Sequence, residues 1–255
     1  MQNRYRRWLG HGLNTPGKRT PDGEREWSFN NTVVLALIAE LKRYQNVEVL
    51  RLDDPTGKTD VSLTERTRKA KAWGADVIIS VHHNANTSKW GAWGGVETLV
   101  HQSADKVSLA LAEAVQPAIV SAMCLRNRGI KPRSDLHILN AGKTYGIPAI
   151  LTEGGFMDST TDIGALRDKA KLHAQAKAIA DGVAKIFALK LKEAEQVTNK
   201  TEEYKLTPND EKVIADLKRW GITDGKNPTR QVTQLYLWHV VHGVIQAVKN
   251  GKVAE

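Results

Sequence analysis

From residue 47 to residue 152 one pattern recurs: a short run rich in β-branched apolar residues, then a longer segment with apolar positions at helical spacing. The runs are Val47 to Leu52, Val77 to Val81, Val96 to Val100, Leu136 to Leu139 and Ala149 to Thr152, and each is expected to be a mostly buried strand. Helical segments are expected near 61–74 and 103–124. Two further amphipathic helices carry Val33, Val34, Leu37, Ile38 and Leu41, and then Ile179, Val183, Ile186 and Phe187. Strands alternating with helices predict an α/β fold: a twisted, mostly parallel sheet flanked by helices. Ligands of such sheets bind beyond the carboxyl ends of the strands, so polar residues that directly follow a strand matter most.

The 255 residues allow one large core and a small appendage. Residues 1–190 are expected to form the main domain and 191–206, rich in charged and small residues, a linker. Residues 207–255 then read as a small helical module. Its first helix is expected to be capped by Thr207, to start at Pro208, to run to Trp220 and to stop at Gly221. After a turn over 223–228, a last helix carries Leu235, Trp238, Val241 and Ile245.

Lys and Arg outnumber Asp and Glu by 37 to 28, a formal charge of +9 that favours polyanionic partners at low salt. No groove-entering element or stacking face accompanies the charge, so nucleic acid is not an expected partner. Cys124 is the single cysteine, which excludes an intramolecular disulfide. It is expected near a helix C-terminus, where the dipole disfavours a thiolate, and reads as a small buried apolar residue rather than a nucleophile. The basic opening segment, Met1 to Leu9, is followed by no apolar stretch, and no run reaches membrane-spanning length. Synthesis in the cytoplasm without a signal peptide is the expectation.

Four polar residues stand where strands are expected to end: His11 in Gly10-His11-Gly12, Glu26 in Glu26-Trp27-Ser28-Phe29-Asn30, His82 in Ser80-Val81-His82-His83-Asn84-Ala85, and Glu153 in Thr152-Glu153-Gly154-Gly155-Phe156. Two imidazoles and a carboxylate are a ligand set for catalytic zinc, which keeps a position open for water. A second carboxylate can take the water proton and pass it to a leaving amine. Blander readings exist. His11 could cap a turn, and Glu26 could be an acidic first-turn residue favoured by the helix dipole. Asn84 could simply hold its own loop, and His137 could be a packed strand residue. Glu24 is a rival to Glu26, and His83 to His82, although adjacent side chains in a strand face opposite ways.

In order and local context these segments resemble the zinc-dependent N-acetylmuramoyl-L-alanine amidases of autolysins and phage endolysins, over roughly residues 5–190. The shared pattern is a strand leading to His-Gly, a Glu four residues before an Asn, Ser-Val-His-x-Asn-Ala after a strand, and Glu-x-Gly-Phe near the domain end. Leu63 to Arg66 and Arg128-Gly129-Ile130-Lys131 also look like family segments, whereas Leu9-Gly10-His11 departs from the family's Asp-Pro-Gly-His. The resemblance implies that His11, Glu26 and His82 bind one zinc ion and that Glu153 is the catalytic glutamate. Asn84 and Lys131 are then candidates for substrate contact. Residues 1–190 would be a zinc amidase that cuts the bond between N-acetylmuramic acid and L-alanine of peptidoglycan, most simply as a phage endolysin acting on the wall after release. A host autolysin, or a non-catalytic wall- or nucleic-acid-binding protein, is the alternative. Trp220 to Gly225 and Pro228 to Arg230 loosely resemble wall-associated segments, so 207–255 would target the wall or dimerise, with anionic wall polymers as further partners.

Overall fold

The computed structural model describes residues 6–9, 19–192 and 208–219. Its elements, in chain order, are β1 (Arg6–Leu9), α1 (Glu26–Leu41), α2 (Leu63–Trp73), β2 (Ile78–Asn84), β3 (Val96–His101), α3 (Lys106–Met123), β4 (Asn127–Arg133), α4 (His137–Tyr145), β5 (Ala149–Phe156), α5 (Ile163–Arg167), α6 (Lys169–Ile186) and α7 (Pro208–Arg219). Contacts divide the chain into two compact units, Met1–Lys192 and Glu193–Glu255; of the second, α7 is described, starting at Pro208. The last expected helix, with Leu235, Trp238, Val241 and Ile245, lies outside the described residues.

Helix boundaries follow local chemistry. Ser62 caps α2 by accepting from the Glu65 amide, and Gly74 ends it at φ 75°, a conformation glycine adopts without strain. Asp105 accepts from Val107 and Ser108 to start α3, and Asp168 accepts from Ala170 and Lys171 to start α6. Each cap satisfies amides that would otherwise lack an intrahelical partner.

The five strands form one sheet in the order β1-β2-β5-β3-β4. Three neighbouring pairs are parallel and β3–β5 alone is antiparallel, in keeping with the expected mostly parallel sheet. Strand alternation sends Ile79, Val81, Ile150, Val96 and Val100 into the larger core with α1, α3 and α6. Ile78, Leu99, Ala149 and Leu151 pack on the other face with Ile138 and Leu139 of α4 and Ala70 of α2. Fully burying one such large aliphatic side chain contributes about 1.5–3 kcal/mol. A Cβ on Gly182 would stand 2.5 Å from Val115 Cγ2, so glycine lets α6 lie close against α3.

Three expectations about elements need correcting. Val47 to Leu52 forms no strand, only isolated bridge residues at Glu48 and Arg51. The Leu136 to Leu139 run is the start of α4, with His137 as its first residue and Ile138 and Leu139 turned to the core. The strand missing from the sequence reading is β4, mostly exposed and containing Pro132, as an edge strand tolerates.

Because β3 and β4 run opposite to β2 and β5, one end of the sheet joins the carboxyl ends of β1, β2 and β5 to the amino ends of β3 and β4. His82, Glu153 and the start of β4 all lie there.

Candidate active site

Glu26 is the first residue of α1, so it follows no strand as the sequence reading expected; it occupies the first helical turn, where backbone amides favour a carboxylate. Its side chain is 1% exposed. Asn30 lies one turn on, which puts both side chains on one helix face, and its Nδ2 donates to Glu26 Oε1 at 3.1 Å. The four-residue spacing visible in the sequence is thus a hydrogen bond. Glu26 Oε1 also lies 2.9 Å from His82 Nδ1 and accepts from the His83 amide at 3.4 Å.

His82 and its neighbour part company at β2. Nε2 of His82 lies 3.0 Å from Ser80 Oγ, two residues back on the same face. His83 turns the other way, with Nδ1 2.8 Å from Asn30 Oδ1 and Nε2 3.3 Å from Gln175 Oε1 of α6, its ring edge-on to Phe29. Burial pushes the His83 imidazole down to about 4, so it is neutral near pH 7.

Glu153 pairs in register with His82 on one side and with Glu97 of β3 on the other. In-register neighbours present side chains to the same face, so His82, Glu153 and Glu97 make one row across three strands. Two glycines follow Glu153 for different reasons. A Cβ on Gly154 would fall 2.3 Å from the Gln175 amide, and Gly155 adopts φ +132°, where a side chain is strained.

Glu97 escaped the sequence reading. It is 7% exposed and accepts from Asn84 Nδ2 at 3.1 Å and Arg128 Nε at 2.8 Å. A charge interrupting the apolar run Val96 to Val100 was the available signal. Asn84 turns both ends of its amide inward, since Oδ1 also accepts from the Ala85 amide. Lys131 is exposed on β4. Cys124 corrects an expectation: it is exposed, not buried, and ends α3 in the left-handed conformation at φ 53°. His137 Nε2 lies 3.2 Å from Thr67 Oγ1, a contact between α4 and α2.

Two more acids, also unforeseen, organise the surrounding loops. Asp158 Oδ2 accepts from the amides of Asn86, Thr87 and Ser88 at 2.7, 2.8 and 2.9 Å, and Oδ1 from the Trp93 indole at 2.8 Å. Burial opposes ionisation of Asp158, but these donors together outweigh it and hold the carboxyl below its usual range. Asp162 Oδ2 accepts from the amides of Gly95 and Phe156 at 2.7 and 3.0 Å.

Of the expected metal ligands, the structure brings together Glu26 and His82; His11 lies outside the described residues. No group of three potential ligands converges among the described residues. The donor chemistry of the pair nonetheless fits zinc. An imidazole nitrogen and a buried carboxylate oxygen set side by side are both donor types that zinc takes. Ser80 can fix the far nitrogen of His82, as the outer partners of metal-bound imidazoles do.

The family model described as N-acetylmuramoyl-L-alanine amidase matches residues 9–185. The chain is 34% identical over 183 residues to the N-acetylmuramoyl-L-alanine amidase CwlM of Bacillus licheniformis, covering 71% of this chain and 67% of that one. It is 31% identical over 196 residues to the endolysin of Bacillus phage SPP1, covering 72% and 67% respectively. Among solved structures, an N-acetylmuramoyl-L-alanine amidase from Clostridium difficile 630 superposes with a TM-score of 0.64 at 28% identity, over 73% of this chain and 98% of that one.

Proposed function

Since the chain belongs to the N-acetylmuramoyl-L-alanine amidase family, and so cleaves the amide between N-acetylmuramic acid and L-alanine, we propose that it does so as a single-zinc hydrolase with Glu153 as its proton carrier. The observation that carries this reading is the buried Glu26–His82 contact beside Glu153, which occupies the next strand in register. Glu26, His82 and His11 would hold the ion, with Asn30 orienting the carboxylate and Ser80 the imidazole. When bound, zinc supplies Lewis acidity that polarises a carbonyl and makes water nucleophilic near neutral pH. Glu153 takes one proton from the attacking water as its oxygen joins the carbonyl carbon. It then delivers that proton to the nitrogen as the C–N bond breaks, so that the amine leaves neutral and a carboxylic acid remains.

The test is clearing of purified bacterial walls with and without a chelator, followed by end-group analysis. Chelator-sensitive clearing that yields new N-terminal alanine, no new reducing ends, and recovery on adding zinc is the expected result. Clearing that ignores the chelator would sink the zinc reading.

As its biological setting we propose host-wall lysis in phage infection, a reading supported by the similarity to the SPP1 endolysin. Cells that accumulate the protein in their cytoplasm are expected to stay intact until the membrane is opened, and then to lyse. Lysis without membrane opening would favour a secreted autolysin instead.

A further inference from the structure

At the start of β4 lies a cavity of about 380 Å³ lined by Arg126, Asn127, Arg128 and Lys131, which the cleavage chemistry leaves unused. The antiparallel turn of the sheet at β3–β5 puts this cavity at the same end as His82 and Glu153. Its distance from the reacting bond follows from register. Gly129 pairs with Glu97, which pairs with Glu153, so β4 stands two strand spacings, about 10 Å, from the catalytic carboxylate. An extended peptide covers that distance in about three residues at 3.3–3.6 Å each.

The lining carries surplus positive charge. Arg128 is bound to Glu97 and held over the Phe156 ring at 4.8 Å. Arg126 and Lys131 are exposed, and neither takes part in an ion pair among the described residues. Edge strands often bear charge merely to discourage pairing, and Pro132 and the Arg133–Asp135 pair meet that need further along β4. Lys131 lies in register with Leu99, on the face of the sheet that carries His82, Glu153 and Glu97. A concave surface with cations to spare focuses anions, and a guanidinium fork matches a carboxylate.

We infer that Arg126, Arg128 and Lys131 form a stem-peptide subsite that takes a free carboxylate two to three residues beyond the bond that is cut. The inference rests on the amidase reading of the site. The volume suits a small anionic group joined to the substrate, within the ~300–1,000 Å³ of ordinary ligand pockets. A long phosphodiester wall polymer is the competing occupant, and the experiment separates the two.

Two soluble muropeptides are compared that differ only in whether the stem carboxylates are free or amidated. Affinities are measured by calorimetry for the full zinc-loaded chain carrying Glu153→Gln, so that binding is read without turnover. The free-carboxylate form is expected to bind about three- to tenfold tighter, with the margin shrinking as salt rises. Adding Lys131→Ala or Arg126→Ala should collapse the ratio of the two affinities towards one, and Lys131→Glu should invert it. Both positions are exposed, so the variants should keep the parental fold, checked by circular dichroism. A ratio near one in the starting protein, or a ratio that survives the substitutions, overturns the inference. So does a loss confined to retention on polymer-bearing walls, which would point to the phosphodiester polymer. With Glu153 intact, cleavage of both muropeptides at equal kcat/KM would remove the subsite alone, whereas no release of N-terminal alanine from either would remove the amidase reading beneath it.

Discussion

Two sets of buried acids meet at one end of the sheet, and they are satisfied in opposite ways. Asp158 and Asp162 are clamped mainly by backbone amides, which cannot swing away. Glu26 and Glu97 are held chiefly by side chains: Asn30 and His82 for one, Asn84 and Arg128 for the other. A carboxylate fixed by amides is part of the scaffold, because its donors belong to backbone whose path it sets. One fixed by an imidazole or an amide side chain can exchange a partner for a metal ion or a substrate at the cost of a rotamer. Where an acid finds its donors is therefore a better guide to its role than how deeply it is buried.

The sharpest way to break this contrast is to remove the proton carrier and one of the metal ligands assigned to chemistry. Glu153→Ala is expected to keep stoichiometric zinc and to lose about 10²–10⁴-fold in turnover, the usual worth of a positioned proton carrier. His82→Ala should lose both zinc and turnover. Metal analysis beside initial rates of N-terminal alanine release distinguishes the two, and near-parental rates for Glu153→Ala would end the assigned mechanism.

Next in size is the neighbouring histidine, which its position between α1 and α6 makes part of the scaffold even though its partners are side chains. His83 is 2% exposed and sits between Asn30 and Gln175. His83→Ala would open a cavity and strand two amide groups, a loss of about 2–4 kcal/mol in a denaturant titration. The folded fraction should still bind zinc. If His83→Ala released the metal and His82→Ala retained it, the ligand assignment on β2 would have to be exchanged.

These histidines also mark how far the sequence could be read. Alternation along a strand foretold that only one of the pair could face the Glu26 side, and the apolar runs at 77–81, 96–100 and 149–152 located the central strands, because buried strands have a dense hydrophobic signature. That signature fails at edges: β4, from Asn127 to Arg133, has no fully buried residue and looks like loop. Leu136 to Leu139 misled for the converse reason, since a four-residue run with three apolar positions does not tell a strand from the first turn of a buried helix. Cys124 looked buried by residue type but caps a helix in a conformation that turns it to solvent. Glu97, Gln175 and Asp158 act through partners 13 to 92 positions away, contacts that no local pattern announces.

The smallest effect sharpens the contrast from the scaffold side. Asp158→Asn keeps an oxygen for the loop amides but turns an NH2 group to the Trp93 indole and gives up the charge that strengthens those bonds, and is expected to cost about 1–2 kcal/mol at pH 7 with turnover in the folded protein little changed. The sign of the pH dependence follows from the lowered pKa of Asp158. An acid that ionises more readily in the folded state contributes stability that is complete above its unfolded value, about 3.9, and is lost as pH falls through the lower folded value. Urea midpoints for parent and variant should therefore differ by a constant amount from pH 8 to about pH 5, and converge below roughly pH 3.9 as the parent alone loses the contribution. A gap that held unchanged to pH 3 would mean that the charge on Asp158 adds nothing to the clamp, and that the loop is ordered by hydrogen-bond geometry alone.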